Sequence, residues 1–390
     1  MTNGISAATC AQVLSAPALL LFALNAPSVC YRNRATRALA ALLTAGAAGN
    51  VVARVRVAHP SLAFMTGLLE SWTVVWAAVL LLRHNPVADA RRRRWSEEPR
   101  RDGEYEEGGV VWQRYPRRSW MARLAWTSSL LISFRGVGWQ FGNPEENEKA
   151  PGAATRDRPK IANEKFGIAL PVLKLSRDVL VFRTVLVIAA QLDRRLVGPG
   201  WQLQALHTTT WIATSVPFIN FCHSAWTVVG ALGQLANPSP AFDLQQYNPS
   251  PWGPVGAIIE YGLTGLWGVT WHNYFKFGFQ SASDLAIPRT NSPGLKPLLR
   301  LLRMFWTFLL SGMMHYCGSH MLPGPTRPSN ELLFFALQGV AVILQILVYD
   351  RFVDKRYRRV LNPLLVSVWL CWTEPLIFGD QRSGGMWTIS

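Results

Sequence analysis

The sequence predicts an all-α fold, a polytopic integral membrane protein of about eight transmembrane helices with further interfacial or re-entrant helices. Three observations carry this. Apolar residues make up 49% of the 390 residues, and they are collected into blocks rather than spread evenly. The basic residues lie between those blocks and fall on alternate connections. One long connection, 236–296, is aromatic and helix-compatible instead of polar.

The blocks run in order over 10–29, 36–53, 62–82, 170–190, 205–230, 297–318, 331–349 and 360–378. Each approaches the roughly 20 apolar residues that cross a hydrocarbon core of about 30 Å. The fourth is weakened by Lys174, Arg177, Asp178 and Arg183. The stretch 120–134 is apolar but short, and reads as an interfacial or half-buried helix. The first block has no basic flank before it, and "NAPSVCYRNR" follows it, so it reads as a retained helix and not a cleaved signal.

Charge supplies an orientation. The formal net charge is +16, and most of it sits in 31–37, 83–118, 135–165 and 351–359. With eight helices and both termini on the far side, these connections share one face. The opposite connections, near Arg54, Arg194 and Arg327, hold few basic residues. The positive-inside rule then places the basic loops in the cytosol. "RRRRW" at Arg91 to Trp95 reads as a topology anchor touching lipid headgroups. No nucleic-acid fold signal accompanies the charge, which argues against that class of partner. The five cysteines show neither CxxC spacing nor a metal pattern and read as packed thiols.

The whole chain, 1–390, reads as a single membrane domain. Segments 83–118 and 143–165 are charged and rich in Gly or Pro, and read as flexible cytosolic loops. The connection 236–296 opens on repeated prolines and continues as "IIEYGLTGLWGVTWHNYFKFGF", an ordered segment able to carry function. Within it Leu263, Trp267, Trp271 and Phe275 are four apart, one apolar stripe if helical. His272, Asn273 and Lys276 lie beside that stripe. Two readings stand: an amphipathic helix in the aromatic belt, or a re-entrant helix bringing His272 and Asn273 into a cavity.

The helix at 297–318 contains "FWTFLLSGMMHYCG". Ser311, Gly312 and His315 share a face, at i, i+4 and i, i+3 spacing. Arg300 and Arg303 mark its cytosolic start. Twelve residues separate Arg303 from His315, about 18 Å of helix, so His315 lies deep in the membrane. An ionisable residue there is a functional candidate by default. The bland alternative is a histidine hydrogen-bonded to a carbonyl or a neighbouring helix. Gly312 admits the close approach of a ligand or a helix.

Together these two stretches resemble the wax synthase-like branch of the membrane-bound O-acyltransferases. Trp267, Trp271 and His272 match the first motif, and Ser311, Gly312 and His315 the second. "NPSPW" and "FRGVGW" resemble elements of fungal members. One departure is Gly268-Val269-Thr270, where relatives often carry basic residues between the two tryptophans. Contacts to coenzyme A phosphates then pass to Lys276 or Arg289.

The resemblance implies transfer of an acyl group from acyl-CoA to a hydroxyl. It points to an O-acetyltransferase on a lipophilic terpenoid or meroterpenoid alcohol; the alternative is a wax or sterol ester synthase using long-chain acyl-CoA. Acetyl-CoA or another acyl-CoA is then a co-substrate; no cofactor or metal is called for. A neutral His315, read as lacking a charged partner, suits general-base work, worth about 10²–10⁴-fold. His272 and Asn273 suit the donor role at the thioester oxygen. Trp267, Trp271, Lys276, Ser311 and Gly312 would hold the acyl-CoA. The implied setting is the endoplasmic reticulum, with membrane lipids as neighbours and an undetermined oligomeric state. A transporter, the alternative of another class, predicts inverted repeats that the sequence lacks.

Overall fold

The computed structural model describes residues 7–26, 31, 33–95, 106–107, 110–141, 168–195, 200–236, 250–290 and 292–387. The segment 143–165 and most of the proline-rich start of 236–296 lie outside them.

The described chain is mostly helical. In order come α1 (Ala7–Val13), α2 (Ser15–Asn25), α3 (Arg34–Arg54), α4 (Pro60–Ala77), α5 (Trp120–Leu131), α6 (Ala169–Arg195), α7 (Gly200–Ala236), α8 (Gly256–Gly265), α9 (Lys276–Ala286), α10 (Leu295–Met321), α11 (Pro328–Leu344), α12 (Lys355–Thr373) and α13 (Phe378–Ser383). Local chemistry explains several starts. Asn33 caps α3 by accepting from the Thr36 N–H at 2.9 Å, and its own N–H donates to Thr36 Oγ1 at 3.3 Å. Pro60 and Pro328 occupy the first turns of α4 and α11, where no backbone N–H is needed.

All eight predicted blocks fall on helical segments. Among the described residues, four helical runs are long and apolar enough to cross a membrane: Arg34–Arg54, Pro60–Arg83, Pro328–Phe352 and Lys355–Ser383. The expected count of eight is therefore met only in part. The first block divides at Leu14 into α1 and the 11-residue α2, which is too short to span. α6 carries charges along its length, and α10 begins with Lys296, Arg300 and Arg303. On α12, Val360, Leu364, Val368 and Trp372 are all exposed at four-residue spacing, an apolar stripe facing outward.

The all-α expectation misses a four-stranded antiparallel sheet. β1 (Ala90–Trp95), β2 (Glu106–Glu107), β3 (Val110–Gln113) and β4 (Trp139–Phe141) are ordered β2-β3-β1-β4. Arg92 pairs with Gln113 on one side and Trp139 on the other. Part of 83–118, read from sequence as a loop, is thus strand. β4 belongs to "FRGVGWQF", whose Gly136 and Gly138 adopt φ of 65° and 75°, so the chain turns there at no steric cost. Phe141 stacks on Phe277 of α9 with ring centres 5.2 Å apart, fastening the sheet to the helices.

α10 packs between α4 and α11. The α4 contact is tight because Gly67 has no side chain: a Cβ there would stand 2.2 Å from the Cys317 carbonyl oxygen. Gly312 meets α11 in the same way, with Leu332 Cδ1 2.9 Å from the position of a Cβ. Gly312 therefore serves the close packing of α10 on α11.

Candidate active site

The segment between α8 and α9 positions the first motif, and it is not the continuous helix the four-residue stripe suggests. Gly262 adopts φ 58° and ψ −131°, breaking the hydrogen-bond ladder. Gln345, just past the end of α11, repairs the break. Its Oε1 accepts from the Leu263 N–H at 2.8 Å, and its Nε2 donates to the Tyr261 carbonyl at 2.8 Å. The chain then widens into one π-turn, Leu266–Thr270, and leaves the helix at Trp271. Such turns often mark functional segments. His272 and Asn273 thus stand on extended and irregular backbone before α9 begins at Lys276.

Residues 250–254, which include the described end of "NPSPW", brace that turn. Asn273 donates from its backbone to the Pro251 carbonyl at 2.9 Å, and its Nδ2 approaches the same oxygen at 3.4 Å. Gly253 donates to Thr270, and the Thr270 hydroxyl donates to Pro254. Trp252 packs edge-on to Trp271 and donates from Nε1 to Asn220 Oδ1 at 2.7 Å. Arg135 of "FRGVGW" donates to the Ser250 carbonyl at 3.1 Å. Three sequence features far apart in the chain therefore meet at one place.

A cavity of about 570 Å³ runs from this segment along α10. Trp267, Trp271, His272, Asn273, Lys276, Ser311 and His315 all line it; of the sequence-predicted site residues, Gly312 does not. Lys276 donates from Nζ to the Gly268 carbonyl at 2.7 Å, and burial pulls its pKa below the ordinary lysine value. The cavity is polarised in charge. Near the start of α10 it is lined by Arg289, Arg300 and Arg303 with Asp284 among them. Arg289 bonds Asp284 at 2.5 Å, while Arg303 lies 3.8 Å from the same carboxylate. Towards the other end stand Met314, His315 and Phe335. The fifteen residues from Arg300 to His315 correspond to about 22 Å of helix.

His315 is not the unpartnered imidazole that the sequence suggests. Its Nδ1 lies 3.1 Å from Glu331 Oε2, on the first turn of α11. Phe335 packs at 4.4 Å between ring centres and Phe64 at 5.8 Å, edge-on. Glu331 escaped the sequence reading because an acid in the first turn of an apolar helix is commonplace; the only signal was its four-residue distance from Phe335 at the head of a spanning block. Across the cavity, His272 Nδ1 is buried and has no hydrogen-bond partner among the described residues.

The other histidines go elsewhere. His207 lines a second cavity of about 750 Å³ with Arg382, whose Nη1 lies 3.0 Å from His207 Nε2. His223 packs edge-on to Tyr274. Neither lines the first cavity. No group of three or more His, Cys, Asp or Glu able to hold a metal occurs among the described residues.

Residues 250–337 match the family described as membrane bound O-acyl transferase, and this stretch contains both motifs. The chain is 23% identical over 275 residues to the acetyltransferase pyr8 of Aspergillus fumigatus, covering 64% of this chain and 58% of pyr8. It is 23% identical over 316 residues to the acetyltransferase atnC of an Arthrinium species, covering 71% and 70%. A shorter match, 27% over 119 residues, reaches the O-mevalon transferase macI of Penicillium terrestre, covering 26% and 28%. The chain thus spans less than two thirds of the length of pyr8. No solved structure matches.

Proposed function

We propose that this chain, whose site-bearing stretch matches the membrane bound O-acyl transferase family, moves an acetyl group from acetyl-CoA to a hydroxyl of a lipophilic polycyclic alcohol of the terpenoid or meroterpenoid type. The observation that carries the reading is a single cavity with arginines at one end and His315 at the other. Acyl-CoA is chemically polarised in the same sense. Its phosphates suit Arg289, Arg300 and Arg303, whose guanidinium forks match phosphate oxygens. Its thioester, at the end of a pantetheine arm of comparable length, reaches the histidines. The missing basic residues between Trp267 and Trp271 are thereby replaced from α10 and the segment before it.

In this mechanism His315 takes the alcohol proton as the alcohol oxygen bonds to the thioester carbon. The C–S bond breaks, and the thiolate leaves with the proton returned by His315. His272, which lines the cavity, supplies the donor for the oxygen that gains charge. Asn273 is committed through its backbone and amide to Pro251 and fixes the segment beside it. The acceptor enters from the lipid. The basic end of the cavity then faces the cytosol, where acyl-CoA is found, in an endoplasmic reticulum protein.

The test is replacement of His315 by Ala in microsomes, assayed with labelled acetyl-CoA and a panel of lipophilic alcohols, with expression matched. Turnover should fall by about 10²–10⁴-fold. Near-normal turnover removes His315 as base. Label moved from long-chain acyl-CoA and not from acetyl-CoA turns the reading to an ester synthase.

A further inference from the structure

Resting on the reading of His315 as the base, we infer that Glu331 is a positioning residue of the reaction: it holds His315 through Nδ1 and leaves Nε2 as the atom that meets the alcohol. The two side chains come from different helices and meet at 3.1 Å. Their exposures divide the work. The His315 side chain shows 23% of its surface, whereas Glu331 shows none. The carboxyl therefore cannot touch a substrate in the cavity, and any effect it has on the chemistry passes through the imidazole.

The ring has little freedom to do otherwise. Phe335 covers one side and Phe64 meets it edge-on. When Glu331 is ionised it has no hydrogen to give, so in that state the hydrogen of a neutral His315 sits on Nδ1 and the lone pair on Nε2. When Nε2 accepts the alcohol proton, the imidazolium lies beside a carboxylate in a low-dielectric surrounding, where that attraction is large. The charge vanishes again when Nε2 returns the proton to the departing thiolate, so Glu331 ends the cycle as it began it.

Glu331 Oε1 is buried with no hydrogen-bond partner among the described residues, and Oε2 is the atom that faces His315. Asp380 fixes the two helices that present the pair. Its Oδ2 accepts from Ser319 Oγ on α10, one turn beyond His315, at 2.5 Å. Its Oδ1 accepts from the Arg327 N–H at the start of α11, also at 2.5 Å. Register between α10 and α11 is set by this clamp, and with it the distance from carboxyl to imidazole. A fully covered carboxyl serving packing alone would be an expensive choice next to an apolar side chain.

The experiment compares Glu331→Gln, Glu331→Ala, His315→Ala and the double variant His315→Ala/Glu331→Ala in microsomes. Folding is checked by size-exclusion profile and by binding of a non-reactive acetyl-CoA analogue. Glu331→Gln keeps the shape and a hydrogen-bonding group, so it restores a structural role, but it removes the charge and can reverse the tautomer. Both Glu331 variants should lose about 10²–10⁴-fold in kcat, a loss of the kind seen when the carboxylate behind a base histidine is neutralised. KM for acetyl-CoA should stay within about twofold, because the loss lies in the transition state. The double variant should be no slower than His315→Ala. Glu331→Gln at more than a tenth of normal kcat, a loss carried by KM, or additive losses in the double variant would each overturn the inference. If Glu331→Ala fails to fold, Glu331→Gln decides alone, and a Glu331→Gln chain that neither elutes as the wild type nor binds the analogue counts against it, since the role would then be structural. A fully active His315→Ala chain refutes the base reading instead, whatever Glu331 does.

Discussion

Replacing Gln345 by Leu should unfasten the helix break that presents the first motif. Gln345 is 3% exposed and makes two hydrogen bonds to backbone groups on either side of Gly262. Leucine has similar volume and neither bond. The Leu263 N–H is then buried without a partner, which costs about 1–3 kcal/mol. The Tyr261 carbonyl is only partly buried, so its loss adds about 1 kcal/mol, the net worth of an ordinary hydrogen bond. The sum is about 2–4 kcal/mol. The measurement is reversible unfolding in mixed micelles titrated with a denaturing detergent, read by tryptophan fluorescence. The same preparation should lose acyl transfer in larger proportion than it loses folded protein, because Trp271 and His272 hang from this turn. A destabilisation below about 0.5 kcal/mol with unchanged turnover would show that the break needs no repair.

Three further outcomes follow from the same geometry. Arg300→Gln combined with Arg303→Gln should raise KM for acetyl-CoA about tenfold or more, since a hydrogen bond to a charged group is worth about 1.5–3 kcal/mol; dephospho-CoA donors should separate the contributions of the phosphates, and an unchanged KM refutes the basic end as the nucleotide site. Gly67→Ala drives a Cβ to 2.2 Å from the Cys317 carbonyl oxygen, so α4 and α10 must part at a cost of about 1–3 kcal/mol, whereas Gly46→Ala, with nothing within 4 Å, should melt at or slightly above the wild-type temperature. Trp252→Phe removes the 2.7 Å bond to Asn220 and should destabilise by about 1 kcal/mol; a melting curve identical to wild type would show that the bond is idle.

What the sequence could show depended on range. His315 was legible because its polarity conflicts with its own helix, within four residues of Ser311 and within twelve of the nearest arginine. The aromatic repeat from Leu263 to Phe275 misled for the same reason: four-residue spacing fits a helix, and only Gln345, some eighty residues on, reveals that the ladder is broken at Gly262. β1 reads as a run of arginines with no alternation, and becomes a strand only because "GWQF" and "VVWQ" pair along its two edges, a tertiary effect that local propensity does not report. Arg300 and Arg303 were read as markers of a membrane boundary, and they also line the cavity. Glu331 stayed hidden because a first-turn acid is ordinary in isolation.

α10 carries both ends of the cavity, the arginines near its start and His315 fifteen residues later. The helix therefore works as a gauge. An unbroken α-helix advances about 1.5 Å and turns about 100° per residue, so the spacing between the charged and the reacting ends cannot drift by small amounts. One residue inserted between Arg303 and His315 would swing the imidazole a quarter-turn or more off the cavity axis while barely changing its depth. Point substitutions along this helix are graded in their effects; changes of length are all or none. Under the proposed reading, the reach between the two ends of the cavity is written in residue count, a property that drift in side-chain chemistry leaves untouched.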